Sequence, residues 1–160
     1  MKNKEIIEIA TNRRAFHDYN IEDKVEAGIS LLGSEVKSCR NHAVSFTDSY
    51  AEIKKNEVFL HNLHISPYKQ AGIFNHDPKR IKKLLLHRNQ ILRFSHKLKE
   101  KGYTLIPLRL YFSGKVVKVE LALARGKKKY EKKEDIKIRE AQKEIDRALT
   151  KSLKQQWNIK

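Results

Sequence analysis

Cysteine is almost absent from this sequence, because Cys39 is the only one in 160 residues. A single thiol cannot form an intramolecular disulfide and has no second cysteine for a structural zinc site, which fits a reducing compartment. Long apolar runs are also missing: the longest, at 84–86 and 121–124, are far shorter than the roughly 20 residues that cross a bilayer. No apolar stretch of signal-peptide length follows the charged first residues. We therefore expect a soluble, cytoplasmic protein with no segment that crosses a membrane.

Negative charge is scarce relative to positive charge. The chain has 35 lysines and arginines against 19 aspartates and glutamates, which gives a formal net charge of +16. A surplus of this size on a small protein generates a positive potential that attracts a polyanion. Nucleic acid is the favoured polyanion, with an anionic membrane surface as the main alternative.

Sequence motifs of enzyme chemistry are missing. None of the seven histidines lies in an HExxH pattern, and the sequence has no glycine-rich phosphate loop or nucleophile elbow. His61 and His64 fall three residues apart on one predicted strand, so their side chains should point to opposite faces and make a poor metal pair. The sequence therefore predicts no catalytic residue, no metal and no cofactor, and a protein that is not an enzyme.

The composition changes near Gly126. Residues 1–125 hold all six phenylalanines, all three prolines and five of the six glycines. Residues 126–160 have only Tyr130 and Trp157 as aromatics. This change predicts a folded domain at 1–125 followed by a basic tail at 126–160.

Within the first domain, alternating β-branched and aromatic residues predict a mainly β structure. The predicted strands cover 27–32, 44–53, 58–65, 103–112 and 115–124. Turns are expected at 55–56 and 113–114, and Pro107 should lie at a sheet edge or a bulge because it donates no ladder hydrogen bond. About six short strands are typical of a closed antiparallel barrel, and the OB type of barrel commonly binds oligonucleotides.

Two segments of this domain are predicted to be helical. Residues 33–40 are consistent with a short helix. Asp77 and Pro78 form a helix start signal, and apolar residues from Ile81 to Leu98 follow helical spacing until Gly102. This second segment is predicted to be one helix, or two short helices broken near residues 87–89.

The tail carries the pattern of a basic amphipathic helix. Its apolar row consists of Ile138, Ala141, Ile145, Leu149, Leu153 and Trp157. A helix of about 20 residues is marginal in water without a surface to lie on, so we expect the tail to be disordered when free and ordered when bound. The alternative is a helix packed on the barrel. A membrane-surface helix is disfavoured because the tail also has six acidic residues.

Three regions of the sequence combine many basic residues with at least one aromatic residue. They are residues 12–19, residues 79–101 with nine Lys or Arg and a single Glu, and residues 126–130. Lysine and arginine bind phosphates, while histidine and tyrosine stack on unpaired bases, so the three regions together favour structured RNA. Duplex DNA is disfavoured because no recognition-helix motif is visible.

Several sequence blocks resemble the SsrA-binding protein family in order and spacing. They are NRRAFHDY (12–19), EAGI (26–29), GSEVKS (33–38), DSY (48–50), ISP (65–67), Arg80 with KLLL (83–86), KGY (101–103) and GKK (126–128). The resemblance extends from about Ile9 into the tail. It implies an OB-like antiparallel barrel with three helices, and a tail that is unstructured in solution and helical in the vacant mRNA channel.

The resemblance also implies function and partners. Members of the family bind the tRNA-like domain of tmRNA and deliver it to the A site of stalled ribosomes, which leads to tagging of the nascent peptide and ribosome release. The implied partners are tmRNA, the decoding centre and mRNA channel of the small subunit, and elongation factor Tu with alanyl-tmRNA; we expect a monomer. The residues alone leave open an OB protein docked constitutively on ribosomal RNA, or an RNA-processing enzyme.

Candidate site residues follow from the resemblance and from the basic regions. Contact with tmRNA is implied for Asn12, Arg13, His17, Tyr19, Glu26, Leu85 and Lys118, and the basic regions add Arg14, Arg80 and Lys83. The expected ribosome-binding residues of the tail are Gly126, Lys127, Lys128, Tyr130, Glu131, Lys132, Lys133, Lys137 and Arg139. The family usually has Asp-Lys-Arg where this chain has Glu131, Lys132 and Lys133. An arginine, which can donate two hydrogen bonds to one phosphate, is therefore replaced by Lys133, whose ammonium group is a single point charge.

Overall fold

The computed structural model describes residues 3–157 of the chain, so the last three residues of the predicted tail lie outside the described part. The chain divides into two compact units that meet between Gly126 and Lys127. The sequence prediction placed this boundary one residue earlier, between 125 and 126.

The first unit consists mainly of strands joined by short helices. Its strands are β1 (Ile6–Thr11), β2 (Tyr19–Ile29), β3 (Val44–Ser45), β4 (Tyr50–Lys54), β5 (Glu57–His61), β6 (His64–Ile65), β7 (Lys82–Leu85), β8 (Tyr103–Ser113) and β9 (Val116–Gly126). Its helices are α1 (Arg13–Asp18), α2 (Gly33–Arg40), the 3-10 segment Lys69–Phe74 and α3 (Arg88–Leu98). The second unit contains the helix α4 (Lys129–Trp157).

Six antiparallel strands close into a barrel. Strand β8 pairs with β9 along one edge. Along its other edge, β8 pairs first with β4, where Ala51 is opposite Leu105, and further along with β1. The pairs β4–β5, β5–β7, β7–β2 and β2–β9 complete the circuit back to β8. The mainly β prediction of a closed antiparallel barrel with about six strands is confirmed. Closure leaves few unpaired strand edges on the barrel.

The core fills the barrel interior with alternate side chains of its strands. Val58, Leu60, Leu110 and Val119 are among its fully buried members. A smaller apolar cluster lies on the other side of the wall, where Ala15 of α1 packs with the side chains Ile106, Leu108, Ala122 and Ala124. Helix α1 therefore covers one part of the outer surface, although its residues were predicted only to form a basic region.

Pro107 lies at a bulge, as predicted. The register of β8 against β9 shifts between Pro107 and Arg109, which leaves Leu108 as the extra residue. Leu108 then joins the outer cluster, and its carbonyl accepts a hydrogen bond from the backbone N–H of Asn12 at 2.7 Å. The bulge thus attaches α1 to the barrel wall.

The predicted turns are present. Lys55 and Asn56 both have left-handed backbone angles, φ 51° and 59°, between the paired residues Lys54 and Glu57. Two left-handed residues in a two-residue loop match the twist of a β-hairpin. Gly114, with φ 62°, lies in the turn that joins β8 to β9.

Two predicted strands are interrupted. The segment 44–53 divides into β3 and β4 around Asp48 (φ 58°), and 58–65 divides into β5 and β6 around Asn62 (φ 60°). His61 and His64 consequently lie on different strands, β5 and β6. The prediction that both lie on one strand, from which the directions of their side chains were inferred, was wrong. In contrast, the strand predicted at 27–32 is β2, which already begins at Tyr19 and ends at Ile29, so residues 30–32 were wrongly predicted as strand.

The prediction of a helix beginning at Asp77 and Pro78 was wrong up to residue 87, and its second part is confirmed as α3. Residues 82–85 form β7, and α3 begins only at Arg88. Within β7, Lys82 and Leu84 are buried while Lys83 and Leu85 are exposed, which is the two-residue period of a strand. Three consecutive leucines fit a helical stripe equally well, and pairing with β5 and β2 decides between the two structures. The predicted helix at 33–40 is α2.

Candidate nucleic-acid interface

A row of outward positions crosses five neighbouring strands of the first unit. Leu85 of β7 pairs with Gly28 of β2, Gly28 pairs with Lys118 of β9, Lys118 pairs with Tyr111 of β8, and Tyr111 pairs with Glu8 of β1. We call these five residues the outer row. Three predicted tmRNA contacts meet there, because Glu26 lies two residues before Gly28 on the same face as Leu85 and Lys118.

Glu26 is held by two donors of the outer row. Lys118 Nζ donates to Glu26 Oε1 at 2.7 Å, and the Tyr111 hydroxyl donates to Glu26 Oε2. Lys118 and then Tyr111 lower the pKa of Glu26 below 4.5, so its carboxylate is ionised at neutral pH. Burial, and then Glu26, raise the pKa of the Tyr111 hydroxyl, which therefore remains a donor.

Opposite charges continue beside the outer row. Arg109 Nε donates to Glu120 Oε2 at 2.9 Å, and this bond is the main cause that raises the pKa of Arg109. The Arg109 guanidinium also lies 5.4 Å from the centroid of the Tyr111 ring. Tyr111 is only 4% exposed, so its ring and its hydroxyl are both fixed by neighbours. The result is a pre-arranged surface of carboxylates and cations.

Leu85 presents an apolar surface next to these charges. Its side chain is 57% exposed and lies across Gly28, where an added Cβ would be 3.2 Å from the Leu85 Cβ. Glycine at this position therefore makes room for Leu85 against the barrel wall. An exposed leucine beside an ammonium can pack against a base or a sugar while the ammonium binds a phosphate.

The predicted RNA contacts in residues 12–19 are of two kinds: some side chains hold the segment in place, and others are exposed. Asn12 caps α1: its Nδ2 donates to Pro107 O at 2.9 Å and its Oδ1 accepts from Ala15 N at 3.3 Å. Arg13 is exposed, and Arg14 is largely exposed with its Nε 3.3 Å from Asp18. The other carboxylate oxygen of Asp18 lies 2.9 Å from His17 Nδ1.

Tyr19, the remaining candidate in this region, packs partly buried against the outer cluster under α1. Arg13 and Arg14 offer charge to a ligand directly. Asn12 and Tyr19 mainly hold the segment in place.

Arg80 and Lys83 lie in different environments. Arg80 Nη2 donates to Glu35 Oε1 at 2.6 Å and to Ser30 O at 3.1 Å, so its guanidinium is committed to an internal network. Glu35 is fully buried, and its other oxygen lies 3.7 Å from Nζ of the equally buried Lys82. Lys83 is about half exposed and pairs with Glu57 at 2.8 Å.

Sequence reasoning missed Tyr111 of the outer row and the buried pair of Glu35 and Lys82. The bulge at Pro107 changes the alternation of β8, so the face of Tyr111 could not be read from its spacing. The lysine at 82, two residues before three leucines, gave no signal of burial, because lysine is seldom buried without a partner.

The tail begins with a hydrogen-bonded helix start. Lys128 N donates to Glu131 Oε2 at 2.9 Å, and the Lys127 ammonium pairs closely with Asp135. Tyr130 is 57% exposed, and Lys133, Lys137 and Arg139 are exposed. Lys132 and Glu131 are partly exposed. Gly126 lies at the end of β9, paired with Tyr19 of β2.

Helix α4 buries none of its side chains between Lys129 and Trp157. The apolar row of the sequence prediction, including Ile138, Ile145 and Leu149, is therefore exposed along the helix. Within residues 3–157, no group of three or more His, Cys, Asp or Glu is arranged to hold a metal ion. No helix in the same residues is both long and apolar enough to cross a membrane.

Comparisons with known proteins agree on one family. A family model described as "SmpB protein" matches residues 9–151. The chain is 57% identical over 140 residues to an SsrA-binding protein of Geobacillus kaustophilus, covering 88% of this chain and 90% of the relative. It is 58% identical over 146 residues to an SsrA-binding protein of Symbiobacterium thermophilum, covering 91% and 92%.

A solved structure also resembles the chain. It is described as "tmRNA-SmpB: a journey to the center of the bacterial ribosome", and the matched chain has a TM-score of 0.65 and 49% sequence identity. The match covers 75% of this chain and 85% of the other.

Proposed function

The chain belongs to the SmpB protein family, and from this premise we propose that its barrel holds the tRNA-like domain of tmRNA while its tail engages the ribosome. The protein binds tmRNA and acts in trans-translation on the ribosome. In the finer proposal it delivers tmRNA to the A site of a stalled ribosome, together with elongation factor Tu and alanyl-tmRNA. The nascent peptide is then tagged and the ribosome is released.

The observation that carries the barrel proposal is the convergence of Glu26, Leu85 and Lys118 on one outward face. These residues are far apart in sequence and come from three strands. A lysine ammonium has three donors, and Lys118 uses one on Glu26, so two remain for RNA phosphate. The ionised Glu26 can accept hydrogen bonds from ribose hydroxyls or base amino groups.

The other barrel candidates have two roles in this proposal. Arg13, Arg14, His17 and Lys83 supply side chains to the RNA directly, because all four are at least partly exposed. Asn12, Tyr19 and Arg80 act as positioning residues, because their side chains bond or pack within the protein. Substituting a positioning residue should therefore lower stability together with affinity.

Binding to the tRNA-like domain of tmRNA tests the barrel proposal, with Lys118→Ala as the variant and Lys115→Ala as the control. Lys115 is an exposed lysine in the adjacent turn, so both variants lose the same charge. We expect Lys118→Ala to weaken binding about 10- to 100-fold, the value of a charge-assisted hydrogen bond, and to reduce the salt slope by about one.

Lys115→Ala should change the affinity little. Equal losses in the two variants would contradict the proposal, because they would indicate attraction to overall charge. Equal affinity of the unsubstituted protein for an unstructured RNA of the same length would also contradict it.

For the tail, 126–160, we propose that Gly126, Lys127, Lys128 and the residues of the first turns of α4 engage the small-subunit decoding centre. The rest of α4 then lies in the empty mRNA channel. The exposed apolar row and the basic side chains of α4 support this role, since an amphipathic helix with both faces exposed can lie on a partner surface.

Removal of residues from Tyr130 onward tests whether the barrel alone binds tmRNA and the tail is needed only on the ribosome. We expect the truncated protein to bind tmRNA with nearly unchanged affinity and to lose peptide tagging in a translation system with stalled ribosomes. A truncated protein that is folded yet fails to bind tmRNA would refute the proposal.

We also propose that the free tail interconverts between helix and disorder and becomes fully helical on the ribosome. A helix that buries no side chain has little tertiary stabilisation, so its backbone hydrogen bonds should open readily. Amide exchange at residues 141–153 of the free protein should be fast. Strong protection there would contradict the disorder proposal and favour a tail packed on another surface.

Finally, we propose that the protein is a monomer that acts in the cytoplasm, where bacterial ribosomes work, and catalyses no reaction itself. Sedimentation of the free protein tests the monomer. Incubation of ribonuclease-free protein with tmRNA tests the lack of catalysis, and stoichiometric cleavage or repeated turnover of the RNA would overturn it.

A further inference from the structure

Two apolar side chains project from the 3-10 segment Lys69–Phe74. Ile73 is 93% exposed and Phe74 is 85% exposed, more than any other large apolar residue described in the first unit. We call this pair the loop tip. Neither residue belongs to the outer row, the apolar clusters of the barrel or the tail, so the proposed function leaves them unexplained.

The backbone around the loop tip is held in place. Asn75 Oδ1 accepts from Tyr68 N at 3.0 Å, and Asn75 Nδ2 donates to Tyr68 O at 2.8 Å, which closes the loop at its base. Gly72 has φ 57°, a left-handed angle that favours glycine and turns the chain just before the tip.

The following residue fixes the loop to the barrel unit. His76 is 6% exposed; its Nδ1 lies 2.9 Å from Ser34 Oγ of α2, and its Nε2 lies 2.9 Å from Ile65 O of β6. The loop tip is thus displayed by a base bonded at several points, and ordering it for a partner costs little additional entropy.

The charge around the loop tip selects the partner. Lys69 and Lys79 are exposed, and Lys37 Nζ lies 5.3 Å from the centroid of the Tyr68 ring. The single acidic residue in 66–80, Asp77, accepts a hydrogen bond from the backbone N–H of Lys79 at 3.0 Å. An exposed aromatic ring in a segment whose charged side chains are mainly lysines suits a ligand that has both a flat apolar face and a negative charge.

We propose that Phe74 is a stacking platform for an unpaired RNA base, with Ile73 covering the edge of that base and the neighbouring lysines binding its phosphates. Every base has a π-face and every nucleotide carries a phosphate, so one contact of this kind uses both properties of the loop. This site is additional to the outer row of the proposed function. The nucleotide can belong to tmRNA or to ribosomal RNA, since both present the same chemistry.

Substitution of Phe74 in the full-length protein tests the proposal. Binding should be measured separately to tmRNA and to the small ribosomal subunit for Phe74→Ala, Phe74→Leu and Phe74→Trp. We expect Phe74→Ala and Phe74→Leu to bind at least one of the two RNAs about 5- to 150-fold more weakly, the range for losing one base stack, and Phe74→Trp to bind normally. Because the side chain is exposed, the unfolding temperature should not change.

Ile6→Ala is the matched control, because Ile6 is also an exposed apolar residue, at 62%. It should leave both affinities unchanged. A loss with tmRNA alone assigns the base to tmRNA, and a loss with the subunit alone assigns it to ribosomal RNA; either result supports the stack. Unchanged binding of Phe74→Ala to both RNAs would overturn the proposal.

Other partners give different results. Full retention of binding by Phe74→Leu with loss in Phe74→Ala would overturn base stacking, because an apolar protein pocket accepts leucine. Binding to anionic lipid vesicles that disappears in Phe74→Ala, without an RNA effect, would overturn it as well. Lys118→Ala measured in parallel separates the two proposals. Weaker RNA binding by Phe74→Ala together with normal binding by Lys118→Ala would support the stacking site and contradict the proposed role of the outer row.

Discussion

The buried carboxylate of Glu35 gives the sharpest stability prediction. Its Oε1 accepts hydrogen bonds from Leu32 N at 2.9 Å and from Arg80 Nη2 at 2.6 Å, while its Oε2 faces Lys82 Nζ at 3.7 Å. Lys82 and Glu35 are both 0% exposed. Glu35→Gln keeps the size of the side chain and removes the charge that compensates the buried ammonium.

The expected loss is large for a single substitution. Removing one partner of a buried ion pair costs about 3–5 kcal/mol, because the other charge stays buried without compensation. Small proteins have a free energy of unfolding of about 5–15 kcal/mol, so this loss is a substantial share of the total. With a urea dependence of about 2 kcal/mol per molar, the midpoint of unfolding should fall by about 1.5–2.5 M.

Near-UV circular dichroism is the appropriate assay. Five of the six tyrosines lie in residues 1–126, whereas the single tryptophan, Trp157, lies in the tail. Glu57→Gln is the control, because Glu57 pairs with Lys83 at the surface with both side chains about half exposed. Surface pairs contribute at most about 1 kcal/mol, so this control should unfold nearly like the unsubstituted protein.

A double substitution and a pH series complete the test. Glu35→Gln with Lys82→Met should lose less stability than the sum of the single variants, because the uncompensated charge is gone. Burial lowers the pKa of Lys82 from its ordinary 10.5, and Glu35 opposes that shift. In Glu35→Gln the unfolded state therefore binds more protons as pH approaches 10.5, and the free energy of unfolding should rise with pH. A loss under about 1 kcal/mol, or additive single effects, would refute the reasoning.

Three further predictions concern the outer row and its neighbours. Tyr111→Phe should weaken tmRNA binding because Glu26 loses a donor, yet leave the fold intact; normal affinity by titration would count against a positioning role for Tyr111. Glu26 should contribute stability above pH 4.5 that is lost as pH falls through its lower folded pKa, and Glu26→Gln should remove this part of the acid-unfolding curve. Gly28→Ala should lower the unfolding temperature by crowding Leu85, with a net loss of about 0.5–2 kcal/mol, while Gly33→Ala, which meets nothing within 4 Å, should not.

Local sequence signals predicted much of the fold. The turn at Lys55 and Asn56 was predicted from two polar residues between two strand patterns, and the missing donor of Pro107 predicted a sheet edge or a bulge, of which the structure has the bulge. The helix over 33–40 and the long hairpin of β8 and β9 were predicted for similar local reasons. Such features depend on neighbouring residues, so they can be read without knowledge of the tertiary structure.

The first part of the helix predicted from Asp77 onward failed for the opposite reason, whereas its second part is α3. The leucines at 84–86 satisfy both helical and strand periods, and only pairing with β2 and β5 selects the strand. The role of Arg80 was equally invisible, because its partner Glu35 lies 45 residues earlier and is buried by the fold. Exposure of the loop tip is likewise a tertiary property, because phenylalanine is usually buried and the sequence alone does not show that Phe74 is exposed.

The sequence by itself determined the positive charge, the mainly β character of residues 1–125, the amphipathic tail and the family resemblance. These properties are sums or local patterns, and folding does not change them. Only the tertiary structure decided that Glu26, Leu85 and Lys118 share one face, and that Tyr111 donates to Glu26 from a fourth strand. Strand register sets those contacts, and register depends on pairing between residues far apart in the chain.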